Sequence, residues 1–435
     1  MIDMQAKELN TVIAKNNGRI TEILSQRGKD AYFPQHGILA QSAQAGSCKI
    51  NATIGIALDE DKSTACLPTL ATFTLEEDTA FQYAPSAGIK ELREIWQNMI
   101  FEKNPSLKGV EISLPVATSA ITHAIYIAGL ILLDSGDKII LSDYFWENYE
   151  LIFCRGAGAV ARTYKTFTDD GLYNLAALRS ALSDGGVGKK ILLLNFPNNP
   201  TGYTPTLQEA REIRNIIVEE ASRGSVVAVI IDDAYFGLVF EEGIYEESMF
   251  SLLADAHKNI LAVKADGATK EDYAWGLRTG FLTFGIKDGN AQLYRALEDK
   301  VAGLVREQIS SASKMSQSLL VRAYKHPDYL TEKAQKYGLL KKRYQKVMEI
   351  LRKNKKYAEY FSALPFNSGY FMCIKPKKDI DAEELRIMLA ENYSVGTIQL
   401  QGLLRIAFSS TSLDELEEVF DGIYKSCVQL SAERG

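Results

Sequence analysis

Cysteine and histidine are too sparse in this chain to build a site from. The five cysteines (Cys48, Cys66, Cys154, Cys373, Cys427) and four histidines (His36, His123, His257, His326) are dispersed, with no CxxC and no Cys/His cluster. A disulfide scaffold, a structural zinc and a Ser-His or Cys-His hydrolase all lose their starting material, and a reducing cytoplasm fits. Long apolar runs are missing too. The most apolar stretch, Ile121–Leu133, covers thirteen residues and includes Thr122 and His123, too short to cross a bilayer. The opening MIDMQAKELN lacks the apolar core of a signal peptide. Excess positive charge is also absent. The 49 basic and 55 acidic residues leave −6, which disfavours nucleic acid or an anionic membrane as the main partner. No repeat or low-complexity tract interrupts the chain.

What is present is an ordinary globular composition, 46% hydrophobic and 24% charged over 435 residues, enough for two or three domains. Helices are expected near Ala6–Arg19, Ile89–Glu102 and Ile121–Leu133, with extended chain over Lys49–Leu58 and Val110–Ala117. From residue 138 onward strands and helices alternate. Strands are expected at Lys138–Ser142, Val160–Tyr164, Lys190–Phe196, Val226–Asp232, Ile260–Lys264 and Gly280–Phe284. Helices are expected at Asn174–Leu182, Leu207–Ser222 and Asn290–Val305. The runs ILLLNF and VVAVII are continuously apolar, the pattern of strands buried on both faces of a largely parallel sheet. A helical region over about 317–354 and an α+β end, 368–435, complete the chain. The expected fold is α/β, a three-layer sandwich whose large domain spans 70–320. A smaller α+β domain is expected from 321–435 joined by part of 1–69.

Three stretches carry chemistry. ADGATKEDYAWGLRTGF, residues 265–281, holds Lys270 and, eight residues on, Arg278. A lysine delivered by a strand into a small-residue loop is partly desolvated, so its pKa falls and the neutral amine can attack an aldehyde. A nearby arginine offers a planar fork for phosphate. The pair suggests an imine with an aldehyde cofactor whose phosphate is anchored close by. The bland alternative is a solvated loop, and Lys264 is a rival lysine. NFPNNPTG, residues 195–202, follows a buried strand, where loops of an open α/β sheet line the ligand crevice. Taken singly it is a Pro/Asn/Gly turn. IDDAYFG, residues 231–237, puts an acid at a strand end with a tyrosine three residues on. A carboxylate against the nitrogen of a pyridine cofactor keeps that nitrogen protonated. Tyrosine O–H and asparagine N–H can both donate to a phenolate oxygen on the same ring.

With NATIGIALDE, YAPSAG, WENY, NNPTG, DDAY, Lys270 with Arg278, and LLRIAF in that order, the chain resembles fold type I pyridoxal-phosphate enzymes. Among these it is similar to the class I aminotransferases, the aspartate and aromatic enzymes in particular. The resemblance covers most of the chain, and its lysine-to-arginine spacing selects Lys270 over Lys264. It implies pyridoxal 5'-phosphate as cofactor and an amino-acid transaminase working with a 2-oxo acid. Lys270 would carry the cofactor and shuttle the substrate Cα proton. Asp232, ahead of its neighbour Asp233, would pair with the ring nitrogen, and Tyr235 and Asn199 with the ring oxygen. Trp146 would stack on the ring and line an apolar wall for the substrate. Arg278 would bind the phosphate, joined by Tyr83 from the other subunit of a homodimer. Arg405 would clamp the α-carboxylate, and Gly55 would let the backbone approach the substrate.

The sequence departs from the family pattern in places. Gly267 stands where a serine is common three residues before the lysine. The phosphate loop is Thr118-Ser119-Ala120-Ile121-Thr122, with Ser119 and Thr122 as its candidate hydroxyls at a helix N-terminus. Arg306, four residues before Ser310, resembles the family's cross-subunit arginine and would favour a dicarboxylic or aromatic donor; otherwise it simply ends a helix. Other fold type I activities, a β-lyase or a decarboxylase, would share the cofactor site. A ligand-sensing regulator on this fold would be expected to carry an added DNA-binding domain, for which the N-terminus offers no room. No metal is expected.

Overall fold

The computed structural model describes residues 3–34, 37–75, 80–377 and 379–434. Its first strand, β1 (Ile50–Asn51), is short. The sheet at the centre of the molecule has seven strands: β2 (Val116–Ser119), β3 (Lys138–Ser142), β4 (Val160–Tyr164), β5 (Lys189–Asn195), β6 (Val226–Asp232), β7 (Ile260–Asp266) and β8 (Thr279–Gly285). Their order is β2-β8-β7-β6-β5-β3-β4, and only β8 runs against its neighbours. After its first residue β5 is buried throughout, as is β6, which accounts for the unbroken apolar runs. Helices Ala120–Leu132, Leu175–Ser183 and Leu207–Ser222 connect and cover the sheet. Thr206 and Glu209 form a capping box that starts the last of these.

Local expectation fails in three places for identifiable reasons. The stretch before β2 meets β8 at Ser113, whose N–H donates to the Phe284 carbonyl at 2.9 Å, and side chains satisfy the backbone that follows. Arg93 donates to the Pro115 and Leu114 carbonyls, and Glu298 accepts the Leu114 N–H at 2.9 Å. Of Lys49–Leu58 only β1 is a strand, since Asn51 Oδ1 takes the Thr53 N–H at 3.1 Å and turns the chain. The helical region near 317–354 is two helices, Lys314–Tyr324 and Tyr329–Lys353, parted at His326-Pro327. The first helix, Met4–Ile23, is longer than expected and broken at Asn17.

A second, antiparallel sheet contains β9 (Phe361–Ala363), β10 (Phe371–Pro376), β12 (Ile398–Leu400) and β13 (Leu403–Ala407), in the order β12-β13-β10-β9. Beside it β1 pairs with β11 (Val395–Gly396). The N-terminal helix Ile38–Gln44 is tied to this sheet by Gln41, whose amide bonds both the carbonyl and the N–H of Gln399. The two sheets meet at Gly202. Its φ is +74°, and a Cβ there would lie 2.0 Å from the Phe371 carbonyl oxygen, so glycine is required. Among the described residues no helix is long and apolar enough to cross a membrane.

Candidate active site

The carboxyl ends of β5, β6 and β7 face the second sheet across a cavity of about 370 Å³. Of the residues singled out in the sequence, Gly55, Thr122, Trp146, Asn199, Asp232, Tyr235, Lys270 and Arg405 line it. The two candidate lysines are separated by their partners. Lys264 is fully buried between Asp233 and Asp266, 3.0 Å from the latter. Burial opposes its charge, but the two carboxylates outweigh burial and push its pKa up. Lys270 makes no ion pair among the described residues. Its Nζ lies 4.9 Å from the centroid of the Tyr235 ring. Burial pushes its pKa down, opposed by Asp232 and aided by Arg278. The two aspartates divide likewise: Asp232 lines the cavity, while Asp233 is held by Lys264 and Ser248, its carboxyl raised by burial to about 6.

Asp232 is buried, and burial raises its pKa against the stabilising hydrogen bond donated by the Tyr149 hydroxyl. Its other oxygen, Oδ1, takes the Ala234 N–H at 3.0 Å. Asn195 donates to the Asp232 carbonyl at 2.9 Å and accepts the Asn199 N–H through its own Oδ1 at 2.9 Å. Tyr149 and Asn195 both line the cavity and escaped the sequence reading, although each belongs to a motif quoted there. The available signal was the second half of WENY. Trp146 is half-buried and meets the Tyr149 ring edge-on, with centroids 5.6 Å apart, so one of its faces stays free for the cavity.

Arg405 lies on β13 opposite Cys373 of β10. Its guanidinium stacks 4.2 Å over the Phe371 ring and donates to Asn199 Oδ1 and the Thr53 carbonyl, both at 3.2 Å. Its Nε is buried and has no partner among the described residues. Such a donor calls for an acceptor, and a carboxylate in the cavity supplies one. Gly55 keeps an open side: an added Cβ would meet only Phe371, at 3.8 Å.

The phosphate end is sparer. Arg278 is exposed, has φ +49° and makes no ion pair among the described residues; its carbonyl accepts the Ala120 N–H at 2.8 Å. That bond holds it at the N-terminus of helix Ala120–Leu132. Ser119 is exposed outside the cavity lining, and its N–H is engaged by His123 Nδ1 at 3.1 Å. At Gly267 a Cβ would sit 2.6 Å from the Thr279 carbonyl oxygen and 2.7 Å from Gly280 Cα, so no serine fits there. Tyr83, 91% exposed, and Arg306, on the exposed end of helix Ala291–Ile309, do not reach the cavity of their own chain.

A free half-buried amine, a buried carboxylate beside it, an exposed cation at a helix N-terminus and an unpaired guanidinium N–H suit pyridoxal phosphate. The fold is that of the fold type I pyridoxal-phosphate enzymes. It matches an aminotransferase from Anaerococcus prevotii DSM 20548 with a TM-score of 0.82 at 24% identity, covering 93% of this chain and 98% of that one. It also matches an alanine aminotransferase from Pyrococcus furiosus with a TM-score of 0.74 at 20% identity, covering 93% and 100%. At such identities the likeness is one of fold. The chain belongs to the aminotransferase class I and II family, whose pattern matches residues 49–423 and whose enzymes use pyridoxal phosphate. It is 25% identical over 259 residues to an aspartate aminotransferase of Bacillus sp. (strain YM-2), covering 59% of each chain. It is 27% identical over 260 residues to a probable aspartate/prephenate aminotransferase of Aquifex aeolicus (strain VF5), covering 58% of this chain and 59% of the relative. The chain thus spans somewhat over half the length of these curated relatives.

Proposed function

We propose that the protein is a pyridoxal-phosphate-dependent aminotransferase moving an amino group between an L-amino acid and a 2-oxo acid. The observation that carries the reading is Lys270, a half-buried amine with no acidic partner among the described residues, sharing one cavity with Asp232 and Arg405. Bound pyridoxal phosphate supplies an aldehyde carbon to receive the amino group and a ring that withdraws electrons from the substrate Cα. Lys270 Nζ would hold the cofactor at rest and, once the substrate amine has displaced it from the cofactor carbon, would be the neutral amine placed to take the proton from Cα. Asp232 would hold a proton at the ring nitrogen, its charged form favoured by the Tyr149 hydroxyl. Tyr235 and Asn199 would donate to the ring oxygen, and Trp146 would stack on the ring. Arg278, Thr122 and Ser119 at the N-terminus of helix Ala120–Leu132 would receive the phosphate. Arg405 binds the α-carboxylate through Nε, where lysine could not replace its fork.

The molecule acts, on this reading, as a cytoplasmic homodimer whose Tyr83 and Arg306 serve the neighbouring subunit. Its large domain covers 70–320, with 321–435 and part of 1–69 forming the small one. The preferred donor is dicarboxylic or aromatic, and the names of the aspartate and aspartate/prephenate relatives support the dicarboxylic choice. Steady-state kinetics with aspartate, glutamate, tyrosine, phenylalanine, alanine and leucine, each with 2-oxoglutarate, tests it. Amino transfer without release of ammonia or carbon dioxide is expected. Arg306→Leu should raise KM for aspartate and spare alanine. Release of ammonia or carbon dioxide without transfer would refute the reading.

A further inference from the structure

A second cleft of about 1040 Å³ lies back to back with the catalytic cavity. The two share their walls. On helix Ala120–Leu132, Ile125 faces the catalytic cavity and Tyr126 the cleft; Tyr149 and Glu150 divide in the same way. The inner wall of the cleft is the π-helical segment Glu150–Gly156, which follows directly on Tyr149 of the catalytic cavity, and such wide turns are frequent at functional sites. It packs on the helix through two glycines. A Cβ at Gly156 would sit 2.9 Å from the Tyr126 ring, and one at Gly129 would sit 3.0 Å from Phe153. The outer wall is the short helix Gln26–Asp30 followed by Ala31 and Tyr32.

The lining has an unusual charge pattern. Arg27 pairs with no carboxylate among the described residues and donates to the Tyr126 hydroxyl at 2.7 Å. Asp30 and Glu150 pair with no cation among them. Arg155 is already engaged, 4.9 Å over the Tyr32 ring and 3.2 Å from Asp3. Two such carboxylates disfavour phosphate or a polyanion, and no group of three metal-ligating side chains forms among the described residues. One cation without a carboxylate, two carboxylates without a cation (Asp30 accepts from the Gln26 amide at 3.1 Å) and two phenol rings complement a zwitterion that carries an aromatic ring.

We propose that this cleft is a second binding site, for an aromatic L-amino acid acting as a regulator. The ligand carboxylate lies on Arg27, its ammonium faces Glu150 and Asp30, and its ring packs against Tyr32 and Tyr126. Binding presses on the segment that begins beside Tyr149, and so on the hydroxyl that holds Asp232. This coupling, unlike the binding itself, rests on the role given to Asp232 above.

The test is equilibrium dialysis of L-phenylalanine against holoprotein whose cofactor has been fixed to its lysine by borohydride. The expected result is a binding event that Arg405→Ala leaves unchanged. Arg27→Ala and Glu150→Gln should each weaken it about 10-fold, the loss of a charge-assisted contact, while Arg27→Lys retains most of it. In the same reduced holoprotein the binding event should shift the circular dichroism of the cofactor band, and Arg27→Ala should remove that shift. Absence of binding, loss of all binding with Arg405→Ala, or failure of either cleft variant to weaken it overturns the proposal. Amino transfer is assayed separately, so a protein that transaminates nothing would refute the function above and leave this site standing.

Discussion

Two lysines six residues apart, Lys264 buried and Lys270 half-buried, have opposite fates, and their neighbours decide which is reactive. Lys264→Met would leave Asp233 and Asp266 buried without a counter-charge, a loss of about 3–5 kcal/mol in denaturant unfolding. The borohydride-reduced cofactor should still map to Lys270. Lys270→Ala should fold normally, form no adduct and turn over about 10³-fold more slowly. An adduct on Lys264 would sink the assignment. Tyr149 gives the second residue-level expectation. Without its hydroxyl, Asp232 loses a donor to its charged form, and the carboxyl, already raised by burial, rises further. Because protonated Asp232 cannot hold the ring nitrogen's proton, the acid limb of the pH–rate profile should move to higher pH in Tyr149→Phe. Unfolding free energy should fall by about 1–3 kcal/mol. An unmoved acid limb would show that the tyrosine is only packing.

At the scale of elements, β5 and β6 were legible because burial on both faces writes itself as an unbroken apolar run, whereas the exposed edge strand β4 was legible from its place in the alternation. The reversed direction of β8 left no such mark, since an interior strand reads the same either way. The missing strand before β2 was equally silent: the backbone of its last residues is satisfied by Arg93 and Glu298, remote in sequence. Gly267 makes the same point at the active lysine. As sequence it is a lost serine. As structure it is the only residue that fits between β7 and β8, against Thr279 and Gly280. Gly267→Ser should therefore lower stability by about 1–3 kcal/mol by overpacking, measured by thermal melting of the holoprotein. An unchanged melting temperature with tighter cofactor retention would refute this.

At the scale of the whole molecule, Tyr83 and its near neighbour Phe81 are 91% and 85% exposed, and Phe73 is 72% exposed. The proposed homodimer would cover such apolar side chains. Mixing Tyr83→Phe with Lys270→Ala protein should restore activity, because a hybrid dimer carries one site lacking both groups and one intact site. No recovery, despite proven subunit exchange, would count against shared sites. By itself the sequence determined the family, the alternating sheet and helix order, and the charged side chains that line the cavity, Asp232, Lys270 and Arg405. Each of these is written in a local motif or a local period. The tertiary structure alone decided that Lys264 is neutralised and Lys270 free. It alone brought Tyr149 to Asp232 across 83 positions and left the Arg405 Nε without a partner among the described residues. Those outcomes depend on which distant groups share a desolvated space. Burial turns such proximity into a pKa or an unmet hydrogen bond, and no local pattern records it.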